Sequence, residues 1–149
     1  MKTLLVIFYF LIAESVNATE SIFEKEITLP AMQFLSSGMP NTAPSIYIWD
    51  EKGVPAYYYT VKDIRAISTD RITYKQDTLN SQNQKGFVFL QNYLAEEDFF
   101  KQGKKVLLLH VIDSNLSPCP PCDEAENKLT SLFTNDKQGY LLLKTVMVN

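Results

Sequence analysis

The chain holds one histidine, two cysteines, five glycines and one tryptophan among its 149 residues. A single histidine excludes any site built from several imidazoles. Two cysteines exclude a disulfide-stapled scaffold, so the domain must be held mainly by an apolar core. Beyond the N-terminal segment no stretch is long enough to cross a bilayer as a helix. The formal charge is only -3, which argues against broad electrostatic attraction to nucleic acid. What the chain has in quantity is core material: 46% of residues are hydrophobic and 12% aromatic.

Lys2, the apolar run Leu4 to Ala13 and the small residues Val16-Asn17-Ala18 have the pattern of a secretory signal peptide over residues 1–18. Its apolar run is too short to span a membrane. The expectation is a secreted chain whose residues 19–149 form one domain. Asn115-Leu116-Ser117 is a glycosylation sequon, making Asn115 a candidate acceptor, although Pro118 follows it directly. A second sequon, Asn17-Ala18-Thr19, falls at the signal boundary.

Periodicity predicts a short helix over Ala31 to Ser37 and strands over Ser45–Trp49 and Val54–Val61, joined as a hairpin. Residues 62–85 are polar and poorly patterned. An amphipathic helix is predicted over Lys85–Phe100, a buried strand over Val106–Ile112 and a last buried strand over Tyr140–Val148. Between the last two lies a helix led by the cysteines, with Asp123, Glu124 and Glu126 in its first turns. Two strands flanking a helix in this way are expected to lie parallel and adjacent. The fold class is therefore α/β, a single mixed sheet with flanking helices.

Cys119 and Cys122 stand where a strand hands over to a helix, in "SPCPPCDEAENKL". A helix N-terminus favours thiolates, which serve as zinc ligands or as redox nucleophiles. A plain structural disulfide is the third reading. As a thioredoxin-like redox pair, Cys119 would attack and Cys122 resolve. Such domains continue through a proline loop, a hairpin and a closing helix, whereas no proline follows Cys122.

The stretch "LLLHVIDSNLSPCPPCDEAENKL" resembles the second zinc motif of the cytidine deaminase superfamily, in the S-P-C-x-x-C form of its AID/APOBEC-like branch. With the signal segment, the chain is similar to secreted deaminase-like proteins. The resemblance implies a cytidine-deaminase-like sheet, zinc on Cys119 and Cys122, and a nucleoside or nucleic-acid ligand. It also implies a further helix and strand after Val148, so this chain is expected to be short of the last strand. The family's H-x-E motif, which supplies a third ligand and the proton-shuttling glutamate, has no match. Asn80 and Gln82 stand at its nearest counterpart, and Asn80 or His110 are the candidates for a third ligand. Neutral amides make a poor zinc ligand and no general acid or base. The expectation is a catalytically degenerate domain acting by binding; Trp49 and the tyrosines Tyr57 to Tyr59 are surface candidates for stacking, although alternate tyrosines of a hairpin more often pack onto the core. Lys101, Lys104 and Lys105 read as a solvated cap at a helix end.

Overall fold

The computed structural model describes residues 20–74 and 79–149; the expected signal segment, residues 1–18, lies outside these residues. Ser45–Trp49 (β2) has the sequence SIYIW and all five side chains are buried. Alternation sends Ile46 and Ile48 to one face and Tyr47 and Trp49 to the other. A strand apolar on both faces needs cover on both, and the same holds for Lys105–Ile112 (β4) and Tyr140–Val148 (β5).

The five strands among the described residues form one sheet. In chain-number order it reads β1, β5, β4, β2, β3, with β1 spanning Lys25–Pro30 and β3 spanning Pro55–Tyr59. β4 and β5 are parallel from Lys105↔Tyr140 to Ile112↔Met147, as the flanking helix requires. The hairpin β2–β3 lies on the other side of β4, with β2 antiparallel to it.

Among the described residues four α-helices cover the two faces. Ala31–Ser36 (α1) and Ser81–Tyr93 (α3) bury Phe34, Phe87 and Leu90 against Tyr47, Trp49, Val106 and Leu108. Val61–Ala66 (α2) and Pro120–Phe133 (α4) bury Ile64, Ala125, Leu129 and Phe133 against Ile46, Ile48, Leu107 and Leu109. The α/β class with one mixed, helix-flanked sheet is as the sequence implies. Among the described residues no helix is long and apolar enough to cross a membrane.

Several boundaries differ from expectation. The second hairpin strand stops at Tyr59, because Thr60 and Asp63 form a reciprocal capping box that starts α2 at Val61. The third helix begins at Ser81, where the Asn80 side chain accepts from the Gln82 and Asn83 amides. It ends at Tyr93, and Asp98–Lys101 forms a separate 3-10 turn. Most consequentially, β5 is not left with an open edge. β1 lies parallel along it from Lys25↔Leu143 to Pro30↔Val148.

Candidate functional site

The site begins where β4 ends. The Asp113 amide donates to the Met147 carbonyl at 2.9 Å, and the Asp113 carbonyl accepts from Leu116 and Ser117 at 3.0 Å each. This turn delivers Cys119 to the N-cap position of α4, with Pro120 and Pro121 as the first helical residues. Proline suits that end of a helix because its missing N–H would have had no partner there. The Cys122 amide donates back to the Cys119 carbonyl at 2.8 Å. Cys119 and Cys122 are joined as a disulfide with Cα atoms 5.2 Å apart. Cys122 is buried in the core, whereas Cys119 is half-exposed. The outer sulfur is thus the one that a solvent-borne thiol or thiolate can reach.

Beside the disulfide runs a cleft of about 190 Å³. Its wall includes Glu26 of β1, Asp113, Asp123 and Glu126 of α4, and Lys144 of β5. Lys144 Nζ lies 2.9 Å from both Glu26 and Glu126 carboxylate oxygens. Burial works against its ammonium, but the hydrogen bonds it donates to the two glutamates outweigh that and hold it above the ordinary lysine range.

The residues expected to complete a zinc site do not converge on the cysteines. α3, whose N-cap is Asn80, packs on the opposite face of the sheet from α4. Asn80 and Gln82 line a different cleft, with Thr42, Tyr58 and Thr60. His110 alternates to the α3 face of β4, is fully buried, stacks on Phe34 and lies 3.1 Å from the Thr145 hydroxyl. Desolvation lowers its pKa to about 4. Among the described residues no three His, Cys, Asp or Glu side chains form a group able to hold a metal ion. Zinc requires at least three protein ligands around one point, so the residues present do not fit it.

Other candidates resolve as follows. Trp49 is fully buried and Tyr58 and Tyr59 nearly so; Tyr57 is half-buried and stacks on Tyr74. Lys101 pairs with Asp98 and Lys105 lies near Glu51 and over the Tyr74 and Tyr140 rings, so these lysines do not join in one anion site. Asn115 is exposed in the turn before the disulfide.

Comparison with family models, curated proteins and solved structures found no match. Two features of the site escaped the sequence reading. One is the Glu26–Lys144–Glu126 group, whose members come from three distant segments and carry no spacing signal. The other is Pro44. It precedes β2 directly, its bond to Ala43 is cis, and Ser45 after it pairs with His110 near the end of β4. Ala43 and Cys119 pack against the same buried cluster. A proline loop beside the cysteine strand therefore exists, upstream of Cys122 rather than after it.

Proposed function

We propose that this domain is a thiol–disulfide oxidoreductase of thioredoxin-like kind, with the two halves of the fold exchanged along the chain. The observation that carries the reading is the surroundings of the CxxC unit. In thioredoxin-like domains the strand, CxxC helix and parallel strand are followed by a proline loop, an antiparallel hairpin and a closing helix. Here β4, the CxxC helix α4 and the parallel β5 come last. The helix α1, the Pro44 loop, the hairpin β2–β3 and α2 come first. The hairpin still lies antiparallel beside β4, and α2 still shares the face of α4. The local order that argued against this reading is reversed in sequence but kept in space.

The chemistry follows from exposure. In the reduced protein the Cys119 thiolate attacks one sulfur of a substrate disulfide, forming a mixed disulfide and releasing a substrate thiolate that takes a proton. The buried Cys122 thiol then loses its proton and attacks Cys119 Sγ. The mixed disulfide breaks, the Cys119–Cys122 bond forms, and the second substrate thiol leaves. Two electrons pass from the dithiol to the substrate, and an external dithiol resets the pair; the reverse sequence oxidises a substrate dithiol. Delivery by the N-terminal signal into an oxidising compartment accords with a resting disulfide.

A staple role is the weaker account. Closing a loop of four residues removes only about 2 kcal/mol of unfolded-state entropy, a small contribution beside the extensive core. A deaminase-like role is disfavoured because α3 and α4 lie on opposite faces of the sheet. The test is reduction of insulin disulfides by dithiothreitol with and without the protein, with Cys122→Ser used to trap the mixed disulfide. Acceleration that Cys119→Ser abolishes is the expected result. No acceleration, and no trapped adduct, would overturn the proposal.

A further inference from the structure

We propose that the disulfide site selects cationic polypeptide substrates and discriminates against anionic ones such as glutathione disulfide. The inference rests on the redox reading above and adds the class of substrate. Two independent features support it.

The first is charge. Cys119 itself lines the cleft, so a chain whose cysteine reaches it there meets the side chains of Glu26, Asp113, Asp123 and Glu126 around a single ammonium, Lys144. That ammonium is already committed to Glu26 and Glu126. Arg65 and Lys128 serve the α2 side of α4: Arg65 pairs with Glu124 at 2.8 Å, and Lys128 donates to the Arg65 carbonyl. The cleft therefore presents an excess of negative charge in a partly enclosed setting, where charges act more strongly than in open water.

The second is the loss of anion-binding donors. A helix N-terminus ordinarily offers free amides and a partial positive charge to an anion. Here the first two positions of α4 are Pro120 and Pro121, which have no N–H, and the third amide, Cys122, donates to the Cys119 carbonyl. A substrate carboxylate approaching Cys119 meets neither donor, and faces the carboxylates of the cleft. An ammonium or guanidinium flanking the substrate cysteine finds acceptors instead.

The experiment compares three disulfides as substrates of the reduced full chain: a peptide disulfide flanked by lysines, the same peptide flanked by glutamates, and neutral bis(2-hydroxyethyl) disulfide. The expected result is a kcat/KM for the lysine peptide at least about tenfold above the glutamate peptide at low salt, shrinking toward parity in concentrated salt. Asp123→Lys should reduce or invert that ratio. The ratio is the readout because any change in Cys119 reactivity acts on both peptides alike. Turnover of the neutral disulfide with a peptide ratio within about twofold would overturn this proposal alone. Failure to turn over all three would overturn the redox reading and this one with it.

Discussion

His110 of β4 and Thr145 of β5 face each other across the parallel ladder, with the imidazole Nδ1 3.1 Å from the threonine hydroxyl and both residues fully buried. Phe34 stacks on the ring from α1, Ser45 pairs with His110 on the other side, and neither brings a charge. The buried ring stays neutral down to about pH 4, whereas in the unfolded chain it takes a proton near 6.5. Between these values the unfolded state binds the extra proton, so stability is full above pH 6.5 and falls as pH drops toward 4. The loss from this one group is about 3 kcal/mol. Urea denaturation at pH 7 and pH 4.5 should show a smaller difference for His110→Gln than for the native chain.

Gly86 lies where α3 crosses β2. A Cβ placed there would sit 2.6 Å from the Tyr47 hydroxyl oxygen and 2.7 Å from its Cε1. Alanine would gain about 1 kcal/mol of helix propensity, but the Tyr47 ring is itself fully buried and has nowhere to retreat. Gly86→Ala is expected to destabilise by about 1–3 kcal/mol net. Adding Tyr47→Phe should make the Gly86→Ala penalty smaller, since it removes the nearest clashing atom. A double-mutant cycle in urea measures the coupling.

Lys144 is 13% exposed and lies between two carboxylates, with the Phe23 ring 5.7 Å from its ammonium. Lys144→Met leaves Glu26 and Glu126 facing each other without a cation. Both glutamates retain solvent contact, so the expected cost is about 2 kcal/mol rather than the larger figure for a fully buried pair. Lys144→Met/Glu126→Gln should recover part of the loss, as read from thermal unfolding.

Pro121 deletes one amide from the first turn of α4. Pro121→Ala restores the N–H of the second helical position, one of those an N-cap side chain accepts from, and such a hydrogen bond to Cys119 favours the thiolate. The reduced variant should react with iodoacetamide at pH 6 a few-fold faster at Cys119 than the native chain, since a charge-assisted hydrogen bond contributes about 1.5–3 kcal/mol before solvent competition. An unchanged rate would show that the restored amide does not reach the sulfur.

The elements most legible in the sequence were those buried on both faces. Ser45–Trp49 and Tyr140–Val148 were delimited correctly, because apolar and aromatic residues dominate both strands, with Ser45, Lys144 and Thr145 the exceptions. β1 was missed because KEITLP is an edge strand that buries only Leu29 fully and carries charge on its open side. α2 was hidden for a related reason: it buries Ile64 alone, and its start is set by a Thr60–Asp63 cap rather than by a long apolar stripe. The cysteine pair was visible as a motif, but its surroundings were not. Which face of the sheet α3 takes, and that Pro44 stands beside the end of β4, are properties of topology, on which local spacing is silent. The same holds for Lys144, whose partners lie 118 residues before it and 18 residues before it, at Glu26 and Glu126.

The pairing of β1 with β5 alone has a consequence for how the molecule is made. β1 emerges early during synthesis, yet its hydrogen-bonding partner is among the last segments translated, so its main-chain groups must stay solvated throughout. Pairs so distant in sequence are slow to close. The hairpin β2–β3 can form at once, while the α4–β5 unit and the edge strand beside it are added late. If Cys119 and Cys122 meet an oxidant before β5 has docked, the thiols do so in an incomplete sheet, and the final step of assembly would close over Cys122 with its bond already made.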